Sequence, residues 1–383
     1  MITRYIRALA MLALVCTVAV TARPVLAASV PGALIVYSQN GHISLMHDDG
    51  SGRQMIGAGA AYSWSRDGRY LLLMRGANLL LLNPSGAVLR TLATNVSAGD
   101  FPPSWAIDGD TIIYETSGGA SPNDHSVSTV DLAGHSTTAW RYTSTEGCGG
   151  ASPFAPDALI SHEVGFDDIA NSMQWSITRH LAVYTASCRG GLNVTDTRTG
   201  RTQPLDPEGA MWNEPALSPQ GTLAVVAGSP TSAPTIVLTT SVPGGRQATV
   251  APGELPLWSP DGHTLYFERI TSGKPVPYVG AGGKHFNAPT NVSEIWRMGT
   301  SGAAPARLYT QNAYGFGPLS LLAGGSALVF SSVDNVTSAS GPYLVAGSFV
   351  PPLAQHTRIM RLDLSNDKAA TVVIGAGRPV AQP

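Results

Sequence analysis

The residues that could do chemistry are few and widely spaced. The densest polar cluster is HEVGFDD, in which His162, Glu163, Asp167 and Asp168 place an imidazole and three carboxylates within seven positions. Nitrogen and oxygen donors at that density suit a divalent metal, and the same groups serve as acid and base when their surroundings bring their protonation near neutral pH. No second partner follows at a ligand spacing, and a solvated loop is the competing reading. These four residues therefore stand as metal candidates only, and no residue is assigned a catalytic or cofactor-binding role. His47-Asp48-Asp49-Gly50 has the look of a calcium turn, but the alternating ligands of a calcium loop are missing and equivalent stretches elsewhere read NPSG and DLAG, so it reads as a hairpin turn. His125, His135, His180, His263, His285 and His356 fall in different segments.

Signatures of known chemistry are missing. A serine hydrolase needs a GxSxG elbow, and the nearest approach, around Ser326, has Leu328 where the last glycine belongs. HExxH, a phosphate loop and a dinucleotide-binding GxGxxG are also lacking. No cofactor is expected. The net charge is -2, with no basic field to attract a phosphate backbone, so nucleic acid is not expected as a partner.

The amino terminus reads as an export signal. Arg4 and Arg7 precede an uncharged, mostly apolar run of 14 residues from Ala8 to Thr21, and Val25-Leu26-Ala27 fits a cleavage site, so residues 1–27 are expected to be removed. A run of that length is short for a bilayer span, and no membrane segment is expected after cleavage. Cys16 lies inside the signal. The two remaining cysteines, Cys148 and Cys188, are a disulfide candidate in an exported chain.

The elements that must position any site are strands. With 42 Gly, 28 Pro and only 13% charged residues, the chain suits many short strands and tight turns. An internal repeat organises them: SWSRDGRYLLLM from Ser63, SWAIDGDTIIYE from Ser104, LSPQGTLAVVAG from Leu217 and LWSPDGHTLYFE from Leu257. The anchors Trp64, Trp105, Trp175, Leu217, Trp258 and Leu321 each stand nine positions before the end of an apolar run. Their spacings are 41, 70, 42, 41 and 63 residues, and about 41 residues is one four-stranded propeller blade. The fixed register argues that the tryptophans pack between blades rather than stack on sugars.

Hairpin signals recur seven times, from Ile43, Leu79, Val127, Leu192, Ile236, Ile295 and Ile359. The expectation is an all-β propeller of seven four-stranded blades, or six if one weak unit is not independent. It would occupy residues 28–383 as a single domain, its ring closed by joining amino- and carboxy-terminal strands. The longer spacings predict loop insertions at about 143–170, 272–293 and 334–356, which are the candidate contact surfaces.

WSPDG at Trp258 followed by TLYF, WSRDG at Trp64 and LSPQG at Leu217 together resemble the repeat of the TolB-like, WD-repeat-like β-propellers, also seen in the propeller domains of prolyl-oligopeptidase-type peptidases. The resemblance implies architecture. Trp175 is followed by SITRH and Leu321 by LAGGS, and nothing before Leu34 matches the amino-terminal domain of TolB. The expected function is a non-catalytic scaffold in the periplasm or outside the cell, acting as a monomer that binds a protein or a small ligand. The alternatives are a propeller enzyme on polysaccharide, lyase or glycosidase, with a site drawn from several blades, and a structural assembly partner. Peptide mapping without reductant is expected to yield one cross-linked pair containing Cys148 and Cys188; two free thiols would remove the bridge.

Overall fold

A computed structural model describes residues 32–59, 62–97, 102–117, 124–143, 173–185, 191–207, 212–228, 233–279, 285–300, 304–335, 343–345, 348–350 and 357–383. Apart from one 3-10 turn, Ala323–Gly325, its regular elements are all strands. They form seven antiparallel blades of four strands, the seventh carrying one extra short strand. The protein is a seven-bladed β-propeller, and the six-blade alternative falls.

The first strands run Tyr62–Trp64 in blade 2, Ser104–Trp105 in blade 3, Met173–Ser176 in blade 4, Trp212–Leu217 in blade 5 and Glu254–Trp258 in blade 6. Blade 7 begins with Ala313–Phe316 and Ser320–Leu321. First strands touch one another from blade 7 through blade 1 to blade 6, and blade 7 meets blade 6 through the latter's third strand, Asn291–Gly299. The second strands, such as Leu71–Arg75 and Thr222–Ala227, are buried along their apolar runs because both faces of a blade are covered by its neighbours. This is why the sequence shows continuous apolar runs there rather than a simple alternation.

Between first and second strands the repeat's Ser, Asp and Gly make the turn. Ser259 Oγ donates to Asp261 Oδ1 at 2.5 Å, and Asp261 Oδ1 also accepts the His263 N–H at 3.0 Å. Ser259 Oγ in turn accepts the Thr264 N–H at 2.9 Å. Ser65 and Asp67 repeat the pattern in blade 2. Gly68 and Gly262 close these turns at φ 68° and 67°, a left-handed conformation that costs glycine little. The turn at Asp48-Asp49-Gly50 is structural as expected: Asp49 Oδ1 accepts the Ser51 N–H at 2.8 Å, and Asp48 pairs with Arg361 of blade 7 at 3.1 Å.

The anchor tryptophans hold blade to blade. The indole N–H of Trp64 donates to Val380 O at 3.2 Å, that of Trp105 to Ser63 O at 3.2 Å, that of Trp175 to Ser104 O at 3.2 Å and that of Trp258 to Ala216 O at 2.9 Å. Each bond reaches the first strand of the preceding blade. Trp64, Trp175 and Trp258 are buried and Trp105 is half-buried; Leu217 and Leu321 fill the same place without the bond. The aromatic register thus reflects packing between blades.

The ring closes as the sequence suggested. Blade 1 takes Leu34–Gln39, His42–His47 and Gln54–Ala58 from the start of the propeller and Gly377–Ala381 from its end, with Ile35 opposite Ala381 and Val36 opposite Val380. Around that strand, the Gln382 side chain donates to Gly68 O of blade 2 at 2.6 Å, and the Ala381 N–H donates to Ser320 Oγ of blade 7 at 2.9 Å. The closing strand is therefore bonded to three blades, and closure removes an edge that would otherwise be open to pairing.

The expected insertion at 272–293 proves to be largely strand. Thr264–Ser272 and Asn291–Gly299 pair along their whole length, and Val276–Val279 pairs with His285–Ala288 beyond them. The paired backbone carries this Gly- and Pro-rich stretch as a hairpin. In the insertion at 334–356, Tyr343–Val345 pairs with Ser348–Val350. The insertion at 143–170 lies, after Thr143, outside the described residues, as does the signal segment. No helix among the described residues is long and apolar enough to cross a membrane.

Trp64→Phe removes the bond to Val380 O and leaves a void where the indole's second ring packed, and urea unfolding is expected to show a loss of about 1–3 kcal/mol. Truncation before Gly377 is expected to abolish the cooperative transition, because it opens the ring as well as removing one bond.

Candidate functional site

Antiparallel connection gives the ring two different faces. Each first strand runs toward its anchor and the tight turn, so the links from first to second and from third to fourth strands lie on one face, the turn face. Links from second to third strands and from each blade to the next lie on the other, the loop face. The chain leaves the described strands at Thr143 and returns at Met173 on the loop face, and the hairpin excursions of blades 6 and 7 start there too.

The turn face is laced shut by bonds between blades. The Arg66 guanidinium of blade 2 donates to Ile107 O of blade 3 and to Pro260 O of blade 6, the latter at 3.2 Å, so it lies across the ring rather than along it. Asp108 of blade 3 accepts the Ile177 N–H at 2.8 Å and the Ser176 hydroxyl at 2.6 Å, joining blade 4. The Gln220 side chain of blade 5 donates to Asp261 O of blade 6.

At the loop-face end of the first strands of blades 5 and 6 stands a set of carboxylates. Glu214 and Glu254 are half-buried, and Glu268, on the second strand of blade 6, is fully buried. Glu254 and Glu268 are direct cross-strand partners. Glu214 Oε2 accepts the Leu255 N–H at 2.7 Å, tying blade 5 to blade 6, and Glu268 Oε1 accepts the Phe316 N–H at 2.9 Å, tying blade 6 to blade 7. Both first strands bulge here, with Glu214 at φ 48° and Leu255 at φ 54°, left-handed backbone that costs a non-glycine residue energy and is held by its surroundings.

The charges in this set oppose ionisation. Burial, and then the Glu254 carboxylate, push Glu214 up to about 8. Burial raises Glu254, and burial together with the charges of Glu254 and Glu214 raises Glu268 well above the ordinary range. A like charge held close and a loss of water both favour the protonated acid. At neutral pH Glu214 therefore holds a proton that a free glutamate would have released, and burial biases Glu254 and Glu268 in the same direction.

In blade 3, the position equivalent to Glu268 is Glu115, fully buried and paired with Nδ1 of His125. The same step of the second strand carries Thr185 in blade 4, Ala227 in blade 5 and Ser331 in blade 7. Polar residues thus stand just beyond the apolar runs, toward the loop face, in blades 3, 4, 6 and 7, while blades 2 and 5 carry Met74 and Ala227 there.

None of these carboxylates was singled out from the sequence. The available signal was a glutamate three or four residues before an anchor, in NEPAL and ELPLW, and a glutamate closing an apolar run, in IIYE and LYFE. The metal candidates His162, Glu163, Asp167 and Asp168 lie outside the described residues, as do Cys148 and Cys188. The scattered histidines are not gathered into one site: His125 pairs with Glu115 and His135 with Asp131 at 2.9 Å, both in blade 3, while His180 and His263 lie in turns of blades 4 and 6. Among the described residues no group of three or more His, Cys, Asp or Glu is placed to hold a metal ion.

No protein-family model matches the chain, and no curated protein matches it. Among solved structures, TolB from Acinetobacter baumannii matches at 13% identity and TM-score 0.43, over 70% of this chain and 62% of that one. A putative TolB from Agrobacterium tumefaciens matches at 14% identity and TM-score 0.40, covering 90% of both chains. An oligogalacturonate lyase in complex with manganese matches at 13% identity and TM-score 0.49, over 88% of this chain and 83% of that one. The propeller class rests on the strand order itself.

For an acid whose folded value is raised, the folded state holds a proton that the unfolded state has lost, so stability falls as pH rises between the two values. For Glu214 that window runs from about 4.5 to about 8. Glu214→Gln keeps an oxygen for the Leu255 N–H and cannot ionise. Its melting temperature is expected to equal that of the wild type near pH 4.5 and to exceed it by a widening margin up to pH 8–9; parallel curves would remove the upward shift of Glu214.

Proposed function

We propose that this protein is an exported, non-catalytic β-propeller that binds a ligand or partner at its loop face, in the periplasm or outside the cell. The observation that carries this reading is the asymmetry of the two faces. The turn face consists of short turns bonded across the ring by Arg66, whereas the excursions of blades 6 and 7 and the long link into blade 4 all leave from the loop face, where Glu214, Glu254 and Glu268 also stand. A rigid sheet frame with varied connections on one side is the usual construction of a propeller binding surface. The scattered exposed apolar residues, such as Met55, Val242 and Ile374, sit on outer strands and turns and do not compete as a single patch.

A second reading, an enzyme acting on polysaccharide, draws on the same carboxylates. A glutamate pushed up to about 8 beside another carboxylate resembles the unequal pair that glycoside cleavage uses as acid and base.

Thermal-shift screening of the mature protein against oligosaccharides, peptides, amines and carboxylates tests the binding reading. At least one class is expected to raise the melting temperature, and the gain is expected to shrink in a variant whose hairpin is cut from Gly273 directly to Pro289. Failure of every class to stabilise the protein would overturn it. Appearance of new reducing ends or unsaturated products from a polysaccharide, lost in Glu214→Gln, would replace it with the enzyme reading.

A further inference from the structure

We infer that Glu214, Glu254 and Glu268 form the recognition site for a small organic cation, a ligand carrying an ammonium or guanidinium group that enters from the loop face; this rests on the loop-face binding reading. The first reason is the missing countercharge. Several buried and half-buried acids elsewhere are neutralised by arginines: Glu294 pairs with Arg307 at 2.7 Å, Asp48 with Arg361 at 3.1 Å, and Asp334 with Arg358. None of the ion pairs among the described residues includes Glu214, Glu254 or Glu268. The groups that do face them are neutral donors: the Leu255 N–H on the first strand of blade 6, Ser293 on its third strand and the Phe316 N–H on blade 7.

The second reason is an orphaned atom. Glu268 is wholly buried, its Oε1 takes the Phe316 N–H, and its Oε2 has no hydrogen-bond partner. It stands directly across the strand pair from Glu254, where like charges are destabilising unless something separates or neutralises them. A buried polar atom without a partner is costly, and a cation reaching the set would offset that cost as the carboxyls ionise.

The spacing decides what kind of cation fits. The three carboxyls do not converge as ligands of one metal ion. A calcium or magnesium ion needs its oxygens within about 2.0–2.6 Å of a single point. An ammonium or guanidinium instead spreads several N–H donors, each reaching a carboxylate at about 2.7–2.9 Å, and so can bridge acids that stand apart. Glu214 and Glu254, half-buried at the inner edge of the ring, are the groups a ligand can touch; Glu268 lies behind Glu254 and adds its charge from inside.

Because burial raises these carboxyls, Glu214 to about 8, a cation that binds the ionised forms is expected to release protons. Calorimetry with putrescine and agmatine, at one pH in phosphate and in Tris, is expected to give heats that differ by the ionisation heat of the released protons. Affinity is expected to rise with pH from 6 to 8, by about tenfold per unit for each proton released. 1,4-Butanediol, the uncharged counterpart of putrescine, is expected not to bind. Glu254→Gln accepts no mapped hydrogen bond whose loss would unfold the blade, and it is expected to weaken putrescine at least tenfold, with Glu214→Gln as a second variant. An acetylated peptide bearing one arginine, run beside agmatine, separates a peptide-borne cation from a free one. Equal binding by wild type and Glu254→Gln, or no binding of any of the cations at pH 8, would overturn the inference. Loop-face binding in general would fall only if no ligand class in the wider screen stabilised the protein.

Discussion

A four-stranded sheet has two faces to cover, and in this chain no helix layer is present among the described residues to cover them. Each blade therefore depends on its neighbours, and the contact that sets their spacing is the indole of one blade against the first strand of the one before. Trp64, Trp105, Trp175 and Trp258 each combine a large apolar surface with one N–H that must find an acceptor, and each finds it on the preceding first strand. The bond fixes how deep the ring sits and how far the blades are turned. Where the anchor is Leu217 or Leu321, the junction has no indole bond and other groups make the links: Arg179 reaches Pro219 O at 3.4 Å between blades 4 and 5, and Glu268 accepts the Phe316 N–H at 2.9 Å between blades 6 and 7.

The ring has the opposite demands at its two ends. On the turn face the connections are short and repeated, so their polar groups bond in a regular pattern from blade to blade, and Arg66 can reach across to Pro260. On the loop face the connections differ in length, and the repeat pattern gives way to residues particular to one or two blades. The carboxylates of blades 5 and 6 occur at this end, on bulged strands with left-handed backbone at Glu214 and Leu255. Local strain, buried acids and missing countercharge coincide here, whereas other described acids sit in turns, as Asp67 and Asp261 do, or against a basic side chain, as Asp48 and Glu294 do.

Polar chemistry also gives two asparagines a structural role. The Asn335 side chain brackets the Asn291 backbone across blades 6 and 7, accepting its N–H at 2.9 Å and donating to its carbonyl at 2.7 Å, and the Asn291 side chain donates to Tyr314 O at 2.7 Å. Their amides serve the junction beside the carboxylate set, so the loop face is braced on that side even where its hairpins project.

The amino-acid sequence by itself determined the blade. Apolar runs of fixed length, an aromatic nine residues before their end, and Ser, Asp and Gly between them are local properties, and a repeat displays each several times. It also indicated closure, because the first unit lacked an inner strand and Gly377–Ala381 supplies it. The tertiary structure alone decided which polar residues meet. Glu214, Glu254 and Glu268 are separated by 40 and 14 residues and sit on strands whose neighbours are set by the ring, so neither their proximity nor the upward shift of their carboxyls can be read from spacing along the chain. Strand period and turn chemistry act between near neighbours in sequence, while the energy of a buried charge depends on everything folded around it.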